Sequence, residues 1–317
     1  MTRTLITGGF GFIGRYLAQM LADSGGEVVL LDILSDDAFV QQSTGQVTSL
    51  KGSLANWAEV MDAVVTAKPD QVVHSGAMLP PTSEATPQAA FEVNITGTYN
   101  ILEAARLCDI KQVVYASSVA SFGPDAPRDL VPNDFAQHPT SMYGVSKVCS
   151  ERLGEYYHRR FNLDFRAVRF PPIFGLGRAA SSGLTAFTSV AVEEAALGRP
   201  FAMPVVPETP TGVLYIRDAA RSLMDIAAAD NASLTHRCYN LHGFVVTAQE
   251  LADAIRRHVP DAQVSFDPDD QITTFIRSIP QKLDDRLART DWGWQPVFNL
   301  DEAVADFVKT TRHPNIP

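Results

Sequence analysis

A short apolar run followed by closely spaced glycines is the feature that most limits how this chain can fold. Residues 3–7 (RTLIT) have the apolar and β-branched content of a buried strand, and residues 7–14 (TGGFGFIG) follow at once. An apolar helical pattern begins after Gly14. A strand, a glycine turn and a helix in this order predict an α/β unit whose turn can closely approach a phosphate.

The three glycines have separate expected roles in that turn. Gly8 permits the tight turn, Gly11 lets the backbone approach a pyrophosphate, and Gly14 lets the helix pack closely on the strand. The helix N-terminus, with the N–H groups of Phe12 and Ile13, then faces the pyrophosphate with a partial positive charge. We therefore expect a dinucleotide site. The alternative, a plain glycine turn, is disfavoured by the strand before it and the helix after it.

A second apolar strand, residues 27–32 (EVVLLD), ends in Asp32. A carboxylate at this place accepts hydrogen bonds from the adenosine ribose hydroxyls and repels a 2′-phosphate. Arg15 could favour the phosphate, but no basic residue directly follows Asp32. We expect NAD rather than NADP, unless Asp32 merely begins a loop.

A tyrosine and a lysine four residues apart, Tyr143 and Lys147, lie on one face of a predicted helix over 143–160. A free tyrosine has a pKa of about 10, and a nearby ammonium together with an oxidised nicotinamide should lower it. Ser118 follows a strand-like run over 112–116, where parallel sheets bind ligands, although alone it would be an ordinary loop serine. Together these residues predict hydride transfer between a nicotinamide and a secondary alcohol, with Tyr143 taking the proton.

Strand-like runs alternate with helical patterns through the first half of the chain, which predicts a doubly wound parallel sheet of Rossmann type. The runs are residues 3–7, 27–32, 71–74, 112–116 and 164–169, and the longest helical patterns are 87–107 and 143–160. We expect an NAD-binding domain over 1–170 and a smaller substrate lobe over 171–317. The two should be partly interleaved, because residues 237–241 have the pattern of a strand returning to the sheet.

Charge and composition limit the kinds of molecule that this chain is expected to bind and the compartment in which we expect it. The net charge of −10 disfavours nucleic acid and anionic membranes. No apolar run approaches the roughly 20 residues that span a bilayer, and the N-terminal residues lack a signal-peptide pattern, so we expect a cytoplasmic protein. Cys108, Cys149 and Cys238 lack the spacing of metal ligands, and we expect reduced thiols and no metal site.

These motifs together resemble the extended short-chain dehydrogenase/reductases of the NAD-dependent epimerase/dehydratase family, over essentially the whole chain. The resemblance is carried by residues 7–14, Asp32, 74–77 (HSGA), 94–98 (NITGT), Ser117-Ser118, 143–147, 169–172 (RFPP) and 291–294 (DWGW). It implies that Tyr143 is the general acid/base, that Lys147 binds the nicotinamide ribose, and that Ser118 polarises the reacting oxygen. It also implies a homodimer formed by the helices at 87–107 and 143–160, and cofactor contacts from Ser53, Leu54, Gly76, Ala77, Asn94, Pro171 and Ile173.

Different stretches resemble two groups within the family. Residues 169–173 and 284–294 are similar to short-chain L-threonine 3-dehydrogenases, whereas 179–183 (AASSG) and 204–209 (PVVPET) are similar to erythronate-type sugar-acid dehydrogenases. Both groups oxidise a small acid that bears a secondary hydroxyl. We therefore expect a compact, polar, carboxylate-bearing substrate; its candidate ligands are Ser118, Arg178, Ser181, Ser182 and Thr185. The alternative for the last four is a hydroxyl-rich surface loop.

Two other functions stay open. A nucleotide-sugar 4-epimerase with tightly bound NAD would use the same residues, but the chain has Pro172 where such enzymes have an asparagine, and no arginine over 210–214. Arg178 and Arg217 could replace these diphosphate ligands. A non-catalytic NAD-binding sensor is the third candidate, disfavoured because Ser118, Tyr143 and Lys147 are all present. A 4,6-dehydratase is rejected, since residues 117–119 (SSV) hold no carboxylic acid.

Overall fold

The apolar runs of the sequence form the strands of one large sheet, and helices cover both of its faces. The computed structural model describes residues 2–178 and 183–313. The strands in this part of the chain are β1 (Arg3–Thr7), β2 (Glu27–Asp32), β3 (Gln46–Lys51), β4 (Gln71–His74), β5 (Gln112–Ser118), β6 (Asp164–Phe170), β7 (Ile173–Phe174), β8 (Phe201–Met203), β9 (Pro210–Tyr215), β10 (Cys238–Asn240), β11 (Phe244–Thr247) and β12 (Val264–Phe266).

The helices begin with α1 directly after the glycine turn. They are α1 (Phe12–Asp23), α2 (Asp37–Gln42), α3 (Trp57–Ala67), α4 (Thr82–Ala85), α5 (Pro87–Ala90), α6 (Gly97–Leu107), α7 (Met142–Phe161), α8 (Phe187–Ala196), α9 (Ile216–Ala228), α10 (Ala248–His258), α11 (Asp270–Ser278), α12 (Arg286–Trp292) and α13 (Leu300–Arg312). A π-helical turn (Phe91–Thr96) joins α5 to α6, and 3₁₀ turns lie at Val119–Ser121 and Leu184–Ala186. No helix among the described residues is long and apolar enough to cross a membrane.

The large sheet has the strand order β10-β6-β5-β4-β1-β2-β3, and its paired strands are parallel. The order reverses between β1 and β4, so a crevice opens there at the carboxyl ends of the strands, where such sheets bind ligands. Thr7 at the end of β1 pairs with Leu31 on one side and His74 on the other. The prediction of a Rossmann-type doubly wound sheet is confirmed.

Successive side chains along each strand point to opposite faces of the sheet, so apolar side chains cover both faces. Leu5 and Ile6 are neighbours on β1 and are both buried, but they belong to opposite apolar layers. Leu5 packs in the layer that contains side chains of α3 and α6, and Ile6 packs in the layer that contains side chains of α1 and α9. Helices on both faces bury the parallel sheet, and the carboxyl ends of its strands are where such a sheet binds a ligand.

Beyond residue 170 the chain builds two smaller sheets, β11-β9-β7 and β12-β8. Between β9 and β11 in sequence, β10 pairs with β6 in the large sheet, with Cys238 opposite Ala167. The chain therefore leaves the large sheet after β6 and returns to it at β10.

The helical pattern at 87–107 is interrupted where a single helix was expected. Residues Phe91–Thr96 form a π-helical turn that holds Asn94, whose carbonyl accepts hydrogen bonds from Thr98 Oγ1 at 2.6 Å and from Ser150 Oγ at 3.3 Å. The π-turn is six residues long, which is too short to give a periodic signal of its own. For this reason the sequence pattern did not reveal it.

Candidate active site

The glycine turn between β1 and α1 brings three stretches of backbone unusually close together. Gly8 has φ +65°, and a Cβ atom there would lie 2.6 Å from the Gly76 Cα atom. A Cβ atom on Gly14 would lie 2.3 Å from the Gly8 carbonyl oxygen. No side chain of the described residues caps Gly11 at the start of α1. The turn thus presents a helix N-terminus to the crevice with the geometry of an anion cradle.

The Asp32 side chain is hydrogen-bonded to the same turn. One of its carboxylate oxygens accepts the Phe10 N–H at 3.0 Å, and the other accepts the Leu34 N–H at 3.1 Å. Arg15, which could have favoured a 2′-phosphate, instead forms a 2.7 Å ion pair with Asp36 and lies 4.8 Å from the centre of the Phe39 ring. The Asp32 side chain therefore lies against the turn at the end of β2, as expected for NAD, although the Arg15 Nε atom also donates to the Phe10 carbonyl at 3.0 Å.

A cleft of about 740 Å³ runs along the carboxyl ends of these strands. It brings together most of the residues that the sequence singled out, from both halves of the chain. Those lining it are Gly8, Gly11, Phe12, Ile13, Gly14, Asp32, Ser53, Leu54, Gly76, Ala77, Ser118, Tyr143, Lys147, Pro171, Ile173, Arg178 and Thr185. Ser181 and Ser182 lie outside the described residues.

Asn94 lies behind the cleft rather than on its surface. Its side-chain oxygen accepts the Met78 N–H at 2.7 Å, and its amide nitrogen donates to the Met78 carbonyl at 3.0 Å and to Ser146 Oγ at 3.2 Å. Met78 follows the Gly76-Ala77 segment that lines the cleft. Asn94 therefore fixes that segment against helix α7.

Ser118, Tyr143 and Lys147 converge from the end of β5 and the start of α7. The Lys147 Nζ atom donates to the Ala116 carbonyl at 2.6 Å and lies 5.3 Å from the centre of the Tyr143 ring. Ser118 Oγ accepts the Ala120 N–H at 3.1 Å, which starts the 3₁₀ turn beyond β5, and this hydroxyl acts to lower the pKa of the Tyr143 phenol. A phenol, a hydroxyl and an ammonium thus share one corner of the cleft.

Burial controls the ionisation of this corner. It raises the pKa of Tyr143 to about 12, although the Ser118 hydroxyl and the Arg178 charge act in the opposite direction. Burial also lowers the pKa of Lys147 to about 7, against the Glu151 carboxylate. The protein groups alone do not give the lowered phenol pKa that the sequence suggested, because desolvation of the phenolate outweighs them.

Arg178 and Thr185 form the wall of the cleft that belongs to the second half of the chain. The Arg178 guanidinium donates to the Ile173 carbonyl and, at 2.7 Å, to Thr185 Oγ1. Burial lowers the pKa of Arg178 to about 10, which leaves it charged at neutral pH, and its charge acts on the Tyr143 phenol. A cation therefore lies near the proposed base.

A buried ion pair lies beneath the catalytic corner, and sequence reasoning missed it. Glu151, one turn after Lys147 on α7, pairs with Arg169 on β6 at 2.8 Å and also accepts hydrogen bonds from Ser117 at 2.5 Å and Gln137 at 2.9 Å. Burial alone would raise the pKa of Glu151, but Arg169 and these donors hold it below its ordinary value. The i, i+4 spacing from Lys147 was the available signal, since it places Glu151 on the same helix face.

Other cleft residues come from segments that carry no motif. Leu184, Phe275 and Ile279 line the cleft from the second half of the chain. No group of three or more His, Cys, Asp or Glu suited to a metal ion occurs among the described residues. All three cysteines are free.

Fold and site define a dehydrogenase of the epimerase/dehydratase class, and comparisons with known proteins agree. The chain matches the model of the NAD dependent epimerase/dehydratase family over residues 4–241 and belongs to that family. It is 34% identical to the mitochondrial L-threonine 3-dehydrogenase of Bos taurus over 304 residues, 95% of this chain and 80% of the relative. The protein is an NAD-dependent dehydrogenase.

Two solved structures extend this similarity to the whole fold. L-threonine dehydrogenase from Clostridium difficile superposes with a TM-score of 0.91 at 28% identity, covering 100% of this chain and 99% of that one. A monomeric L-threonine 3-dehydrogenase from a metagenome superposes with a TM-score of 0.89 at 26% identity, covering 98% and 99%. The cofactor NAD fits the residues present: the close backbone packing at Gly8 and Gly14 forms the anion cradle at the N-terminus of α1, and Asp32 stands at the end of β2.

Proposed function

We propose that this enzyme reversibly oxidises the secondary hydroxyl of a small, carboxylate-bearing substrate, with L-threonine as the first candidate. The observation that carries the proposal is the convergence of Ser118, Tyr143 and Lys147 in one corner of the cleft, with Arg178 facing the phenol. The similarity to L-threonine 3-dehydrogenases supports the choice of substrate.

Each side chain has one task in this reaction. Ser118 donates a hydrogen bond to the substrate oxygen, and Tyr143 takes the hydroxyl proton as the carbonyl forms. Lys147 binds the nicotinamide ribose and stabilises the phenolate with its charge. Bound NAD⁺ supplies the acceptor for the hydride that leaves the substrate carbon. Proton and hydride together account for the two hydrogens that an alcohol loses on becoming a ketone.

Arg178 is the proposed partner of the substrate carboxylate. A guanidinium binds a carboxylate through paired N–H donors, and partial burial strengthens the attraction. Thr185 Oγ1 accepts a hydrogen bond from that guanidinium at 2.7 Å, which orients it in the cleft wall. Ser181 and Ser182 remain predicted substrate ligands.

The 4-epimerase alternative is disfavoured by the surroundings of two residues. Pro172 is buried, and its carbonyl accepts the Leu214 N–H at 3.0 Å, so the main chain is fixed where an asparagine side chain would be needed. Arg217, one of the two possible replacements, forms a 2.6 Å ion pair with Asp306. Neither observation favours binding of a nucleotide diphosphate.

We also propose a homodimer formed through α6 and α7. Exposed apolar side chains on these helices support it, namely Tyr99, Leu107, Val145, Tyr156 and Phe161. The related metagenomic enzyme is described as a monomer, so the family does not impose one assembly.

The free cysteines agree with a reducing compartment, and cytoplasmic location stays a prediction.

Replacement of the phenol tests the proposed base. We expect Tyr143→Phe to reduce turnover by at least about 100-fold, the range for loss of a general base, while the Kd for NAD changes less than about twofold. Val297→Ala, at an exposed side chain outside α6 and α7, is the control and should behave as the wild type. Turnover of Tyr143→Phe near the wild-type level would refute the assignment.

A further inference from the structure

The N-terminus of α7 is held by side chains from two places in the chain. Ser141 Oγ accepts the Gly144 N–H at 3.0 Å, and the Ser141 carbonyl accepts the Val145 N–H at 2.9 Å. The two N–H groups before these, those of Met142 and Tyr143, both donate to the Glu84 carboxylate at 3.0 Å. The four N–H groups at the start of this helix are therefore satisfied, two of them by one distant carboxylate.

Glu84 contacts the backbone of the residue that bears the proposed base. Each of its carboxylate oxygens accepts one of the two hydrogen bonds: Oε2 accepts the Met142 N–H, and Oε1 accepts the Tyr143 N–H. Ser83 Oγ donates to Oε1 at 3.1 Å and helps to orient the group. A carboxylate is also the favoured charge at a helix N-terminus.

The segment that leads to Glu84 forms part of the cleft wall. Met78, Leu79 and Pro80 all line the cleft. At its start, Asn94 binds both the N–H and the carbonyl of Met78 and also contacts Ser146 on α7. Both ends of the segment are thus fastened to the first turns of α7, one through Asn94 and the other through Glu84.

We propose that Glu84 is a positioning residue for catalysis, which fixes the Tyr143 backbone and the cleft wall of residues 78–80 relative to each other. The reacting hydroxyl must meet the phenol in near-attack geometry, and a misplacement of about 1 Å can cost about 100-fold in rate. Glu84 itself does not line the cleft, and its contact with Tyr143 is to the backbone N–H. Its loss should therefore reduce kcat and leave NAD binding intact. The inference rests on the proposed role of Tyr143.

Graded substitution at position 84 tests this inference. Glu84→Ala removes both acceptors and should lower kcat about tenfold, whereas Glu84→Gln keeps one acceptor oxygen and should lie between Glu84→Ala and the wild type. The Kd for NAD should stay within about twofold in both variants. Amide hydrogen exchange should become faster at Met142 and Tyr143 in Glu84→Ala. Glu92→Ala removes an exposed carboxylate that accepts from Gln88, and it should match the wild type in every readout.

The following results would distinguish a failure of the Glu84 inference from a failure of the proposed function. A Glu84→Ala enzyme with wild-type kcat and wild-type exchange at Met142 and Tyr143 would overturn the inference, as would equal losses in kcat and NAD binding. A Glu84→Gln variant no better than Glu84→Ala would also contradict it. If Tyr143→Phe itself keeps full turnover, the proposed function fails instead, independently of how Glu84 behaves.

Discussion

His74 is a buried histidine behind the cofactor cleft. Its Nδ1 atom lies 2.6 Å from Thr7 Oγ1, and its Nε2 atom lies 3.0 Å from Thr98 Oγ1. Burial, with a smaller contribution from the Lys147 charge, lowers its pKa from 6.5 to about 3. Between those values the unfolded chain binds more protons than the folded one. The free energy of unfolding should therefore rise with pH over this range and reach its full value above pH 6.5.

The pH dependence of unfolding measures this effect. We predict that His74 makes the free energy of unfolding about 2 kcal/mol lower at pH 5 than at pH 7.5, and that His74→Gln removes this part of the difference. Urea unfolding of both proteins at the two pH values provides the comparison. His138→Gln replaces an exposed histidine beside Asp125 and should keep the wild-type difference. An unchanged difference in His74→Gln would show that His74 is not held neutral in the folded protein.

Tyr143 and Lys147 show what spacing can and cannot predict about a residue. Their four-residue separation placed them on one helix face, and the Lys147 Nζ atom indeed lies 5.3 Å from the Tyr143 ring. The pKa shifts of both groups are set mainly by burial, and the charges of Arg178 and Glu151 act against it. A local pattern carries no information on such burial, so the pKa directions required the structure.

At the scale of elements, periodicity predicted where strands and helices lie better than it predicted their ends. Strand β5 continues to Ser118, two residues beyond the expected run, because β6 supplies hydrogen-bonding partners as far as Phe170. The π-turn around Asn94 and the short helix α4 that carries Glu84 carry no periodic signal, since each is only four to six residues long.

A substitution on the exposed face of α7 tests the proposed dimer. Val145 and Tyr156 are eleven residues apart, which is close to three helical turns, so they share an exposed face. We predict that Val145→Glu converts a dimer to a monomer, because a carboxylate buried in an apolar interface lacks a partner. Val297→Glu, which alters an exposed valine outside these helices, is the matched control. Light scattering after gel filtration gives the mass, and a wild-type monomer would refute the interface.

The whole molecule is organised around the reversal of strand order between β1 and β4. The alternation of strand-like runs with helical patterns predicted the sheet type. The glycine turn and Asp32 predicted the cofactor edge, because both lie within one short β-α-β unit. The substrate wall could not be predicted in the same way. Leu184, Phe275 and Ile279 reach the cleft only through the fold of the second half, and none lies in a recognisable motif.

NADH formation tests the central claim most directly. Purified protein is mixed with NAD and, separately, with L-threonine, four-carbon sugar acids and a nucleotide sugar, and NADH absorbance is followed beside the Tyr143→Phe variant. We predict NADH with L-threonine, none with the nucleotide sugar, and no signal from Tyr143→Phe. NADH from a sugar acid alone would keep Tyr143 as the base but replace the substrate. Silence with every acid, from protein that already carries tightly bound NAD, would contradict the account and favour a nucleotide-sugar epimerase.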